Sequence, residues 1–267
     1  MRAHVLLREK PWYRRDAFVA GLRAAGHEVL CRPPDRLDRE TLLVIWNRYA
    51  GTHEVALRVE AAGGRVLVAE NGYLNGDGGS PKFAVYKAGP KPHDYYCLGL
   101  GFHNDAARVK PGGPERWAAM GIELKPWRTD GSHVLICPNR SFGVAERVMH
   151  PDWAERCAAR LRKQTRREVR VRLHPGNDPA KRPLAEDLKD CWAVFVWSSS
   201  VAVHSLVAGV PTFIEAPHQI VKGASASGSV DAPQAPDRQE HFERLAWAQW
   251  TCREIESGEP FRHLLAG

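Results

Sequence analysis

Four short runs of unbroken apolar character punctuate the chain: LLVIW at 42–46, RVLVA at 65–69, HVLIC at 133–137 and AVFVW at 193–197. Runs of this length, rich in Val, Ile and Leu and closed by polar or glycine residues, are the pattern of strands buried on both faces. Weaker runs at His4–Leu7, Glu28–Leu30, Tyr95–Leu100, Glu168–Leu173 and Pro211–Ile214 extend the set. Between them lie segments with helical spacing: Asp16–Ala25 ended by Gly26, His53–Ala62 stopped by Gly63-Gly64, Asp152–Lys163, Pro183–Asp190 with proline in the first turn, and Val201–Ala208 closed by Gly209. Asp152 is placed to cap its helix. His241–Ile255, bearing Trp247 and Trp250, reads as one last helix.

Strand and helix alternate from 1 to about 110, pause over the Pro- and Gly-bearing segment Pro111–Arg128, and then alternate again. This predicts an α/β protein of two Rossmann-like domains with parallel sheets, over 1–125 and 130–240, with residues 241–267 packing back across the cleft between them. Segment 74–94, rich in Gly, Pro, Asn and Asp, reads as a long loop, and 222–236 as a flexible Ala/Ser/Gly/Pro loop.

Hydrophobic residues form 43% of the 267 residues, enough to fill two cores, and no stretch approaches the roughly 20 apolar residues of a membrane span. A cytoplasmic protein is expected. The six cysteines, 31, 97, 137, 157, 191 and 252, form no C-x-x-C pair and read as reduced core thiols. The net charge of +7 suits an anionic partner such as a nucleotide or nucleic acid. Several chemistries lack their signatures: no G-x-x-x-x-G-K-[ST], no G-x-G-x-x-G after the first strand, no G-x-S-x-G, no H-E-x-x-H and no Asp-x-Asp after a strand. No metal site and no bound cofactor are expected.

In open α/β sheets ligands bind beyond the carboxyl ends of the strands, so the residues just past each buried run carry the chemistry. After RVLVA stands Glu70-Asn71-Gly72, a carboxylate able to take a proton from a hydroxyl. After EVRVRL stands His174-Pro175-Gly176, an imidazole able to donate to a phosphate. After AVFVW stands Ser198-Ser199-Ser200, leading into a helix whose free N–H groups favour an anion. Each has a plainer reading as a turn residue or an N-cap. Together they divide a carboxylate in the first half from a histidine and serine cluster in the second.

The three motifs resemble those of bacterial sialyltransferases, polysialyltransferases and capsule Kdo transferases, which are GT-B enzymes with an acidic-acidic-Gly, a His-Pro and a Ser-Ser motif in that order. The resemblance implies Glu70 as general base, His174 on the donor phosphate, and Ser198 and Ser199 around it. Asn71 stands where those families carry a second acid, so their sugar specificity does not carry over. Segments ENGYLN, RWAAMGIELKPWR and LAWAQWTCREIESGEPF resemble uncharacterised tailed-phage proteins.

The expectation is a metal-independent glycosyltransferase using a nucleotide-sugar, a UDP-sugar first, as substrate. A 5-hydroxymethylpyrimidine of phage DNA is the leading acceptor, in the host cytoplasm. The alternatives are a surface-glycan or capsule transferase, a sugar-nucleotide epimerase or hydrolase, and a non-catalytic nucleotide- or DNA-binding protein. Further donor candidates are Asn139, Arg140 and Ser141 after HVLIC, Arg172 two residues before His174, and Glu215 after the strand at 211–214, suited to ribose hydroxyls. Acceptor candidates are Asn71, Asp94, His103 and Asn104, with Asp105 beside them. Trp117, Trp127, Trp247 and Trp250 read as packing residues rather than sugar platforms.

Overall fold

The computed structural model describes residues 1–74, 94–174 and 182–266. They divide into two compact units, Met1–Met120 with Glu243–Gly267, and Gly121–Phe242.

The first unit is built on a six-stranded sheet. Its strands are β1 (Arg2–Val5), β2 (Glu28–Leu30), β3 (Thr41–Trp46), β4 (Arg65–Asn71), β5 (Tyr95–Leu100) and β12 (Gln249–Thr251), in the spatial order β12-β5-β4-β3-β1-β2. Strands β2, β1, β3 and β4 are mutually parallel, while β5 runs antiparallel to β4 and β12 antiparallel to β5. The apolar runs are explained by two covered faces. Leu42, Val44, Leu67 and Ala69 pack with Phe18, Leu22, Trp250, Ile255 and Phe261 on one side. Leu43, Ile45, Val66 and Val68 pack with Ala56 and Val59 on the other. The helices supplying these faces are α1 (Arg15–Ala24), α8 (Cys252–Ser257) and α9 (Glu259–Leu265) on the first, and α2 (Gly51–Ala61) on the second. Helices α1 and α8 meet at Gly21, where a Cβ would lie 1.7 Å from the Ile255 carbonyl oxygen.

The C-terminal stretch departs from the single helix expected over His241–Ile255. Helix α7 (Gln239–Ala246) stops, β12 pairs with β5, and α8 starts afresh. Two local causes are visible. Gln249 is fully buried and its Oε1 accepts the Tyr73 and Leu74 N–H groups at 2.6 and 2.8 Å. Thr251 and Glu254 form a reciprocal capping box, which nucleates α8 at that point. Trp250 therefore sits on a strand, completely buried, with the Arg116 guanidinium 3.9 Å from its ring centre.

The second unit holds a four-stranded parallel sheet, β6 (His133–Cys137), β7 (Glu168–Val171), β8 (Cys191–Val196) and β9 (Thr212–Ile214), in the order β7-β6-β8-β9. Helix α4 (Trp153–Gln164) covers one face through Trp153, Cys157, Ala158 and Leu161. Helices α5 (Leu184–Leu188) and α6 (Val201–Val207) complete the unit. Asp152 occupies the N-cap of α4 but makes no side-chain cap bond, its carboxylate instead meeting His150 and Arg156. The 222–236 segment, expected as a loop, contains a short antiparallel pair, β10 (Ser227–Ser229) and β11 (Ala232–Gln234).

Segment Pro111–Arg128, in which the boundary between the two units falls, is partly helical. Helix α3 (Glu115–Met120) buries Trp117 and Met120. In the second unit the Lys125 and Arg128 N–H groups bond the carbonyls of Val207 and Gly209. Segment 74–94, apart from its two end residues, lies outside the described residues, as do Pro175 and Gly176. Among the described residues no helix is long and apolar enough to cross a membrane. Five of the six free cysteines are buried, and Cys31 is exposed.

Candidate functional site

Glu70 belongs to β4 itself rather than to the turn after it, and it pairs with Cys97 of β5. Strand alternation puts its side chain on the α2 face, with Val66 and Val68, and puts Asn71 on the opposite face. The Glu70 Oε1 accepts the Asn71 N–H at 2.9 Å, and the Asn47 side chain supplies a second hydrogen bond. Burial outweighs both donors and pushes the carboxyl up to about 7, from an ordinary 4.5. The chain turns away at Gly72, where a Cβ would lie 2.6 Å from the Tyr95 carbonyl oxygen, so no larger residue fits this backbone.

A buried polar cluster continues from Glu70. The Tyr73 hydroxyl donates to the His103 carbonyl at 3.1 Å and to Asn104 Oδ1 at 3.4 Å. The Cys97 thiol donates to the same His103 carbonyl at 3.2 Å. Burial pushes the Tyr73 hydroxyl far up and the Cys97 thiol to about 12, so Glu70 is the member that titrates near neutrality. His103 and Asn104 thus meet the Glu70 neighbourhood through Tyr73. Asp94 is buried, and its carbonyl accepts the Cys252 N–H at 3.2 Å. Asp105 caps the next turn of the chain, accepting from Ala107 N–H at 3.1 Å and pairing with Arg108 at 3.3 Å. Asn71 Oδ1 is buried with no hydrogen-bond partner among the described residues.

In the second unit, the ends of β6, β7 and β8 bring several candidates together. Asn139 Oδ1 accepts the Ser198 N–H at 2.9 Å, tying the loop after β6 to the loop after β8. Ser199 Oγ accepts the Val201 N–H at 3.3 Å, an ordinary turn at the start of α6, whereas Ser200 makes no side-chain cap bond. His174 is half-buried, and both its burial and the charge of Arg140 hold its imidazole below 6.5. Arg140 and Ser141 are exposed, with the Arg140 guanidinium 4.7 Å from the Phe142 ring centre.

Two donor candidates are placed otherwise. Arg172 is largely buried in an ion pair with Asp187, and its other nitrogen donates to the Arg182 carbonyl at 2.6 Å. Glu215 receives Trp153 Nε1 on one oxygen and Arg160 on the other, each at 2.6 Å, in the wall of a cavity of about 540 Å³. Both side chains already have strong internal partners, so the donor set is better drawn without them.

Asn47 is the residue that the motifs overlook. It comes directly after LLVIW, so attention to the residue after each buried strand points to it as well as to Glu70. Among the described residues no group of three or more His, Cys, Asp or Glu side chains is arranged to hold a metal ion.

No protein-family model matches the chain, and no curated protein sequence does. Solved structures do. The β-Kdo 2,4-transferase KpsC of Thermosulfurimonas dismutans aligns with 92% of this chain and 90% of its own, at a TM-score of 0.55 and 13% identity. The β-Kdo 2,7-transferase KpsC of the same organism aligns with 98% of this chain and 99% of its own, at 0.55 and 11%. At such identities the likeness is one of fold, and the chain has the mixed α/β, GT-B-like fold of these two glycosyltransferase structures.

Proposed function

We propose that this protein is a glycosyltransferase that moves a sugar from a nucleotide-sugar donor to an acceptor hydroxyl, with Glu70 as general base. The observation that carries this reading is Glu70 itself: a carboxylate at a sheet's carboxyl edge, oriented by two donors and poised near 7. A base so poised matches the operating pH and takes a hydroxyl proton as it attacks. In the transfer the acceptor O–H proton passes to Glu70, the oxygen bonds the anomeric carbon, and the bond from that carbon to the nucleotide phosphate breaks. Binding of the nucleotide phosphate is assigned to the second unit by itself, with Ser198, Ser199 and His174 as its partners and Arg140 balancing charge. His174, neutral at pH 7, donates one N–H to the phosphate. Direct displacement inverts the anomeric centre, and no metal ion is needed.

The fold neighbours act on Kdo, as their names state. This favours a glycan hydroxyl as the acceptor, with a sugar acid such as Kdo as the first donor to try. The DNA reading draws on the net charge of +7 and on the likeness of three segments to tailed-phage proteins, and the fold neighbours lend it no support.

The test is a donor panel of UDP-, GDP-, CMP-, ADP- and dTDP-sugars, offered with oligosaccharides or with hydroxymethylated DNA, with nucleotide release and product mass as readouts. Glu70→Gln abolishes transfer and keeps donor binding, and EDTA leaves the wild-type rate unchanged. Full transfer by Glu70→Gln removes Glu70 as the base. Donor turnover without any acceptor makes the protein a hydrolase or epimerase.

A further inference from the structure

The backbone between β3 and α2 is under local strain. Asn47 has φ of 48°, and Ala50 has φ of 47° with ψ of −131°, a conformation ordinarily left to glycine. A side-chain-bearing residue in such a region costs about 1–3 kcal/mol and persists only where its surroundings over-determine it. Here they do. Between the two strained residues, Arg48 runs into the protein with its side chain 3% exposed. It donates to both Glu60 oxygens at 2.7 and 2.6 Å, to the Gly101 carbonyl at 3.0 Å and to His53 Nδ1 at 3.0 Å. Its guanidinium also lies 4.4 Å from the Phe102 ring centre. Tyr49 is pinned at both N–H and carbonyl by the Thr52 hydroxyl, at 3.0 and 2.7 Å.

This clamp fixes Asn47. Its N–H reaches across to the Ala69 carbonyl at 3.0 Å, and its side chain bonds the carboxylate of the next residue, Glu70. We propose that Asn47 is the positioning residue of Glu70, its amide fixing the carboxylate so that the remaining acceptor sites face the incoming hydroxyl. The strained turn follows directly on the pairing of Trp46 with Ala69, which sets the Asn47 amide at the end of β4. The inference deepens the proposed function and rests on Glu70 being the base.

A donor to the carboxylate favours the ionised form. The other titratable groups near Glu70 are the Tyr73 hydroxyl and the Cys97 thiol, both neutral at pH 7, with Asp105 acting on the far side of Tyr73. Arg48, although adjacent in sequence to Asn47, spends its charge on Glu60. The Asn47 amide and the Asn71 N–H are therefore the groups that hold the Glu70 proton affinity down.

The experiment titrates Glu70 directly, by carbon NMR of protein labelled at the glutamate carboxyl and assigned with Glu70→Gln, alongside the pH profile of transfer. Asn47→Gly keeps the backbone at ease while removing the amide. Asn47→Asp puts a like charge in its place. A lost hydrogen bond to a charged group corresponds to about one pH unit. Asn47→Gly is thus expected to raise the Glu70 titration by about one unit and Asn47→Asp by more. The acidic limb of kcat/KM moves to higher pH by the same amounts, and the donor KM stays unchanged. An unchanged Glu70 titration in Asn47→Gly overturns the inference, even where transfer depends on Glu70. Transfer that survives Glu70→Gln overturns the proposed function instead, whatever Asn47 does to the titration.

Discussion

Replacing Glu70 by glutamine should stabilise the protein above neutral pH while destroying its activity. Burial holds the folded carboxyl at about 7 against an ordinary 4.5. A carboxyl raised in this way favours the folded state fully below the unfolded value, and that contribution is lost as pH rises through 7. The gap of roughly 2.5 pH units, at ~1.4 kcal/mol each, means that the ionised side chain costs the folded state about 3 kcal/mol at pH 8. Glutamine has the same shape, keeps an oxygen for the Asn71 N–H and carries no charge. Glu70→Gln should therefore match wild type at pH 4 and exceed it by about 3 kcal/mol at pH 8. At about 2–4 °C per kcal/mol for a domain of this size, the melting temperature rises on the order of 6–12 °C. Calorimetry of both proteins at pH 4, 6 and 8 provides the assay. A stability difference that does not grow with pH would refute the reasoning, because it would mean that Glu70 ionises in the folded protein as easily as in the unfolded chain.

Other perturbations can be read from the same contacts. Arg48→Ala removes the clamp on the β3–α2 turn and leaves the partly exposed Glu60 to water, a loss of about 1–3 kcal/mol in urea unfolding, as for hydrogen bonds to charged groups. Gly21→Ala drives a methyl into the Ile255 carbonyl and should cost about 1–3 kcal/mol or more by the same measure, whereas Gly26→Ala, with no atom near its Cβ, suffers only from its positive φ. Burial is the larger cause that depresses His174 and Arg140 the smaller, so Arg140→Gln should raise its imidazole titration, monitored by proton NMR, while leaving it below 6.5.

The strands were legible where burial on two faces forced unbroken apolar runs: LLVIW, RVLVA, HVLIC and AVFVW lie on strands of the two sheets, save Trp197, which follows β8. Orientation was not legible in the same way. Nothing in YYCLGL marks β5 as antiparallel to β4, because apolar content reports burial and not direction. The spacing of Trp247 and Trp250, three residues apart, imitates a helix over a stretch that breaks into helix, strand and helix. Its break depends on the amide of Gln249, a polar residue in a fully buried place, reaching Tyr73 and Leu74. Among the candidates, position after a strand pointed to Glu70, His174 and Ser198, whose roles are proposals. The same criterion could not foresee that Arg172 would be taken by Asp187 or Glu215 by Trp153 and Arg160, since those partners are distant in sequence. Asn47 was accessible to it, but asparagine after a strand is so common in turns that only the contact with Glu70 distinguishes it.

The division of the chain has a consequence for how the protein is made. The first unit is discontinuous: its sheet is finished by β12, from the residues that return to it after the whole second unit has been passed. On the ribosome, residues 121–242 are all available before β12 emerges, so the second unit can complete its folding while β5 still has a bare edge. Release of a chain cut short anywhere before Gln249 would leave that edge unpaired and the Phe18 and Leu22 face without Trp250 and Phe261, the kind of surface that chaperones and proteases engage. Translation past Gln249 is thereby made a condition of a finished Glu70 neighbourhood, because the amide that holds Tyr73 and Leu74 emerges only after the whole second unit.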